Sequence, residues 1–164
     1  MRNATLAFLI VLVAAVSGWG ARTSQPTQFD SNQPIRITSD RLSADDTARQ
    51  MTFLGHVVAR QGDVTIYADD LTVFYQQGSR EVERVEAEGD VRVVQNNRVA
   101  TGQKGIYYRQ QGRIVLTGSP AIHQGENSIK GDAITVFLNE EKSIVTGDEN
   151  TRVNAVFQPK KGTP

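Results

Sequence analysis

A Gly, an alternating apolar segment, a polar turn, a second alternating segment and a small residue before an acid recur along this chain at nearly fixed spacing. The copies run from Leu54-Gly55-His56-Val57 to Tyr67-Ala68-Asp69, from Glu88-Gly89-Asp90-Val91 to Gly102-Gln103, and from Thr117-Gly118 to Lys130-Gly131-Asp132. Gly55, Gly89 and Gly118 are 34 and 29 residues apart, and the small residue follows each by 13. Partial copies flank them at Ile37-Thr38-Ser39-Asp40 and Val145-Thr146-Gly147-Asp148. Units of this length cannot bury an apolar face alone, so neighbouring units share one interior.

The first 21 residues stand outside the repeat. Met1-Arg2-Asn3 is basic, Ala4 to Val16 is almost wholly apolar, and Ser17-Gly18-Trp19-Gly20-Ala21 is mostly small, the form of a secretory signal. The apolar run is short for a bilayer crossing, although an uncleaved anchor is the alternative. Removal of residues 1–21 leaves a polar, flexible segment 22–32, one domain over 33–157 and a polar tail 158–164. Such a domain buries about two thirds of its unfolded surface. Basic and acidic residues number 18 each, so no net charge favours nucleic acid. Cysteine is absent, and the fold must hold by packing and backbone hydrogen bonds.

From Pro34 onward the apolar pattern has a period of two. Ile35/Ile37, Val64/Ile66, Leu71/Val73/Tyr75, Val91/Val93, Ile106/Tyr108, Ile114/Leu116, Ile134/Val136/Leu138 and Val153 mark successive strands with one face inward. Gln61-Gly62-Asp63, Gln95-Asn96-Asn97, Gln110-Gln111-Gly112 and Gln124-Gly125-Glu126-Asn127 read as turns between them. Residues 45–50 read as a turn of helix or a polar connection. Ser119-Pro120 reads as an edge or a bulge, since Pro has no ladder donor. The fold class is therefore all-β, with many short strands. A sandwich shows strands and turns of this kind too, but the repeat favours layers stacked along one axis. Adjacent apolar residues at Val57-Val58 and Val93-Val94 leave the inward face open there.

Catalytic groupings are missing. His56 and His123 read as exposed strand residues, and no cysteine completes a soft metal site. No serine sits in a nucleophile elbow and no Gly-rich phosphate loop occurs. The acids Glu81, Glu83, Glu86, Glu88 and Asp90 interleave with Arg80, Arg84 and Arg92, a charge-balanced strand face. Asp40, Asp69 and Asp132 sit at matching repeat positions, and Gln103 replaces the acid in one copy. A turn role tolerates that exchange better than metal binding or catalysis does. Neither an enzyme nor a cofactor is expected. An unclosed stack of strands would instead leave an apolar groove for acyl chains, with strand edges free to add another chain's strand. A structural or adaptor protein with a closed interior is the rival reading.

The segments Gln33-Pro34-Ile35-Arg36-Ile37-Thr38-Ser39-Asp40, Thr52-Phe53-Leu54-Gly55-His56-Val57-Val58, Ile66-Tyr67-Ala68-Asp69, Val115-Leu116-Thr117-Gly118 and Ile129-Lys130-Gly131-Asp132-Ala133-Ile134-Thr135 occur in that order. Together they resemble the OstA-like family of periplasmic lipopolysaccharide-transport proteins over about 33–157. The resemblance implies an open, twisted β-jellyroll of stacked antiparallel strands. It implies receipt of lipopolysaccharide from the periplasmic jellyroll subunit of an inner-membrane complex and delivery to the jellyroll domain of an outer-membrane translocon. Jellyrolls would join end to end across the periplasm, self-association included, with ATP hydrolysis elsewhere. An anchored relative of the inner-membrane subunit is the nearer alternative. Ile35 and Ile37 match groove-facing lipid contacts of the family's opening strand. Periodicity extends the candidate lipid-binding set to Phe53, Val57, Val64, Ile66, Leu71, Val73, Val91, Val93, Ile106, Tyr108, Ile114, Leu116, Ile134 and Val136. A sealed-core role stands beside lipid contact for each of these.

Overall fold

The computed structural model describes residues 30, 32–140, 142–150 and 152–159. The expected leader 1–21, most of segment 22–32 and the tail from 160 lie outside the described residues. Twelve strands occur among the described residues: β1 (Arg36–Thr38), β2 (Arg41–Asp45), β3 (Gln50–Gln61), β4 (Val64–Tyr75), β5 (Val82–Gln95), β6 (Arg98–Tyr108), β7 (Arg113–Thr117), β8 (Ala121–Gln124), β9 (Asn127–Lys130), β10 (Ala133–Phe137), β11 (Lys142–Thr146) and β12 (Asn154–Val156). All pairings are antiparallel.

The long strands β3 to β6 each serve two layers. In the first layer the order is β1, β3, β4, β5, β6, β8, β9, β12; in the second it is β2, β3, β4, β5, β6, β7, β10, β11. Inward side chains of both layers meet in one core that includes Val57, Leu71, Val91, Ile114, Leu116 and Ile134. The stack is open at both ends. Among the described residues, β1 and β2 pair only with β3, β11 only with β10 and β12 only with β9. This is the open all-β stack expected from the repeat.

The repeated Gly and acid positions are the corner between layers. Gly55-His56 and Gly89-Asp90 are consecutive residues with positive φ (78° and 49°, 77° and 41°), as are Gly118-Ser119 (76° and 57°). Between Leu54↔Asp70 and Val57↔Ala68, two residues of β3 oppose Asp69 alone, a bulge that bends the strand. The facing strand donates its corner amide to this turn: Asp40 N to Gly55 O at 3.0 Å, and Gln103 N to Gly118 O at 3.2 Å. A Cβ on Gly55 would come within 2.5 Å of Asp40 Oδ2, and one on Gly89 would overlap the Asp69 carboxylate. The acids thus shape the corners, as their repeat positions suggest. The Asp40 carboxylate, as hydrogen-bond partner of His56 Nδ1 at 2.7 Å and as a charge, also holds the exposed imidazole above its ordinary pKa.

Three local readings are settled. Residues 45–50 contain no helix: β2 ends at Asp45 and a turn leads into β3. Ser119-Pro120 is the corner between β7 and β8, with Ser119 exposed and Pro120 fully buried; between Lys104↔Thr117 and Thr101↔Ala121 the residues 118–120 oppose only Gly102 and Gln103, so the segment is a bulge and not an edge. Val153 does not belong to a strand and is exposed, because β12 begins at Asn154.

On the outer face Arg84 of the interleaved set pairs with Glu83 and Glu86, and Lys104 of β6 joins Glu86 and Glu88 to them. Arg84 Nε donates to Glu86 at 2.8 Å and Lys104 Nζ to Glu88 at 2.8 Å. Burial would push the Glu86 carboxyl up, but Arg84 and Lys104 outweigh it and hold the group below its ordinary value. Beside this network, cations lie over rings on neighbouring strands: Arg84 over Phe74 at 3.8 Å, Arg113 over Tyr108 at 4.7 Å and Lys142 over Phe137 at 5.2 Å.

Candidate apolar cleft between the layers

Where β1 and β2 part at the N-terminal edge, the interior opens. A cleft of about 480 Å³ is walled by Ile35, Ile37 and Gln61 on the first-layer side and by Phe53, Val73, Tyr75 and Val82 on the second. Asn32, Gln33, Arg80, Glu81 and Arg109 complete its lining. The loops 76–81 and 109–112 carry the two arginines. A neighbouring cleft of about 560 Å³ shares Tyr75 and Arg80 and is otherwise lined by Asp45, Asp46, Arg49, Gln50, Met51 and Ser79. Both volumes lie in the range of small-molecule sites.

Local contacts hold the mouth in shape. Gln61 is buried at the end of β3 and its Nε2 donates to Gln33 O at 2.8 Å, tying the segment before β1 to the sheet. The Tyr75 hydroxyl donates to Met51 Sδ at 3.4 Å across the β3–β4 pair. Deeper in, the space narrows to about 30 Å³ between Ile35, Ile37, Ala59, Val64, Ile66, Val85, Tyr107, Ile114 and Leu138, room for about one water. Burial raises the pKa of the Tyr107 phenol, and the Arg109 charge only partly offsets it. An apolar throat with polar and cationic groups at its mouth suits an amphiphile: each methylene taken from water contributes about 0.8 kcal/mol, while a charged head stays wet. Among the described residues no cluster of three or more His, Asp or Glu could hold a metal.

The candidate residues fall into four places. Ile35, Ile37, Phe53 and Val73 line the mouth, and Val64, Ile66 and Ile114 line the throat. Val91 and Val93 lie at its innermost end, beside Ile66, Gly105 and Tyr107. Val57, Leu71, Leu116, Ile134 and Val136 are sealed in the core, with Leu116 and Ile134 at 0 % exposure. Ile106 and Tyr108 require correction, because they face outward. Their register partners Glu86 and Arg84 belong to the outer face, whereas Tyr107 lies opposite Val85 and Ile114 inside. Three successive apolar residues, 106–108, carry no alternation of their own. The phase of β6 also changes at the corner, where Gln103 and Lys104 both leave the core while Gly102 and Gly105 stay buried.

At the two ambiguous apolar pairs, Val57 and Val93 point inward. Periodicity missed Tyr107, and it missed Val85, Ala87 and Val82 because the acids of β5 drew attention to its outer face. Alternation of Val85 and Ala87 with Glu86 and Glu88 was the available signal. Arg80 and Arg109 are loop residues that no period could place.

Residues 36–142 match the family model described as LptA/(LptD N-terminal domain) LPS transport protein. The lipopolysaccharide export system protein LptA of Escherichia coli is 31% identical over 136 residues, covering 79% of this chain and 74% of that protein. The protein of the same name from Haemophilus influenzae is 28% identical over 137 residues, covering 79% of this chain and 80% of its own. The crystal structure of LptH from Pseudomonas aeruginosa superimposes with a TM-score of 0.71 at 23% identity, covering 79% of this chain and 99% of that one. The shared jellyroll, its corner repeats and these matches carry one conclusion: this chain belongs to the LptA/LptD N-terminal-domain family of lipopolysaccharide transport proteins.

Proposed function

We propose that this chain carries lipopolysaccharide across the periplasm, as one jellyroll in a bridge from an inner-membrane transport complex to an outer-membrane translocon. The periplasmic, non-enzymatic transport role follows from the family, whose relatives are lipopolysaccharide export proteins. The LptH structure is that of a periplasmic component of a lipopolysaccharide transport device. The observation that supports this chain's own part is the apolar cleft at its N-terminal edge, with Arg80 and Arg109 among its lining residues. Acyl chains enter between Ile35, Ile37, Phe53 and Val73 while phosphates and sugars stay at the rim. Passage beyond the throat requires the layers to part, because the resting space there is about 30 Å³. Strand pairing at the open edges supplies the contacts with the inner-membrane jellyroll subunit, the outer-membrane jellyroll domain and further copies of this chain.

Ile37→Asp tests the cargo assignment. A carboxylate against the acyl chains, with no partner provided, costs on the order of 2 kcal/mol or more. Lipopolysaccharide affinity should therefore fall at least about tenfold, with strand content unchanged by circular dichroism. Unaltered binding by the folded variant contradicts the groove and favours an adaptor with a closed interior.

A further inference from the structure

The chain is built from four two-strand units, and their internal joints fix how one copy meets the next. The first strand of each unit carries the corner residue Asp40, Asp69, Gln103 or Asp132; the second carries Gly55, Gly89, Gly118 or Gly147. Wherever one unit pairs with the following one, the residue before the Gly lies opposite the residue after the corner acid or Gln. The three cases are Leu54↔Asp70, Glu88↔Lys104 and Thr117↔Ala133.

We infer that the C-terminal edge of one copy joins the N-terminal edge of a second copy in this same register, with Thr146 opposite Arg41, Val145 opposite Leu42 and Lys142 opposite Asp45. The inference rests on the end-to-end assembly proposed above and specifies its geometry. Two features of the edges support it. Leu42 is 54% exposed in the single chain, yet it continues the row Phe53, Leu71, Ala87, Gly105, Leu116, Ile134 and Val145, which is the core of the second layer. The joint sets Leu42 beside Val145, which already packs against that core, and so extends the apolar interior from copy to copy.

The outer face agrees. One row alternates aromatic and cationic residues, Phe74, Arg84, Tyr108, Arg113, Phe137 and Lys142, and reaches the other edge through Gln50 at Asp45. It therefore ends in a cation on one side and an anion on the other. Among the described residues, Lys142 Nζ has its nearest carboxylate at 4.0 Å, that of Glu140. Asp45 Oδ1 accepts the Ala48 amide at 2.9 Å, and the joint directs Oδ2 to Lys142. In the first layer the same rows set Asn154 opposite Thr38 and Ala155 opposite Ile37, carrying the strand with Ile37 into the joint. A slip of two residues sets Val145 against Ala44, or Ser143 against Leu42, and separates Lys142 from Asp45.

Oxidative cross-linking of mixed single-cysteine chains tests the register. Ile144→Cys with Ser43→Cys probes the outer face, and Ser143→Cys with Ala44→Cys the inner, so both kinds of antiparallel pair are sampled. Ile144→Cys with Arg41→Cys or Asp45→Cys provides pairings displaced by two. Disulfide dimers should form from the in-register mixtures and not from the displaced ones. Lys142→Glu should weaken self-association about two- to fivefold, and Asp45→Lys in the partner copy should restore it. Dominance of a displaced pair overturns the register and leaves end-to-end assembly standing. Absence of dimers from every mixture of folded chains overturns the joint between copies. Neither result bears on cargo binding, which Ile37→Asp reads separately.

Discussion

Leu116→Ala should lower the free energy of unfolding by about 2–5 kcal/mol, the range for emptying a buried leucine site. Leu116 has no exposed surface, and its register partners are Ile134 on one side and Gly105 on the other. A Cβ built on Gly105 would stand 3.2 Å from Leu116 Cδ2, so this leucine fills the space that the glycine leaves open. Backbone hydrogen-bonded in the centre of two ladders cannot collapse into the void, and the cavity term should persist. A domain of ordinary stability would lose a large share of its 5–15 kcal/mol. Urea unfolding at constant slope checks this. A loss below about 1 kcal/mol would mean that the layers are not packed at this point.

Gly89→Ala has the second large effect, for two separable reasons. At a φ of 77° an L-residue costs about 1–2 kcal/mol, and the new Cβ also overlaps the Asp69 carboxylate. Gly78 has nearly the same φ, 76°, with no atom within 4 Å of its Cβ direction. Gly78→Ala should therefore lose only the backbone part, and Gly89→Ala more than that. Placing Gly89→Ala in an Asp69→Ala background should recover part of the difference, since Asp69 Cβ, 2.8 Å from the new Cβ, remains, as a double-mutant cycle in thermal or urea unfolding would show. Equal losses at Gly78 and Gly89 would remove the corner acid from the explanation of the repeat.

The corners explain what could be read from the amino-acid order and what could not. Gly-X pairs and small-acid pairs are local and repeat, so the turns and the stacked all-β arrangement were legible. The inward faces were legible wherever apolar and polar residues alternate without interruption, as in Val64 to Ile66 or Val91 to Val93. They were lost where the strand changes phase at the corner without an apolar marker, as at Gly102 to Gly105, and so Ile106 and Tyr108 were taken for Tyr107. Alternation also marks which side chains point inward without saying how tightly they meet. Leu116 and Ile37 share that property, yet one is sealed and the other lines the cleft. That difference depends on the distance of each strand from the open edge, a property of the order of pairing. Arg80 and Arg109 come together through two separate loops, which only the folded topology brings to one rim.

Photo-cross-linking probes placed singly at Ile37, Phe53 and Tyr107, and at Ile106 and Tyr108 as outward controls, test the transport path most directly. The membranes used should be engaged in lipopolysaccharide transport, with the folded protein assembled. Lipopolysaccharide adducts are expected at Ile37 and Phe53 and, as the layers part, at Tyr107, with none above background at Ile106 or Tyr108. Adducts confined to the outer face, or absent from all three inward positions, would contradict carriage of the lipid between the two layers.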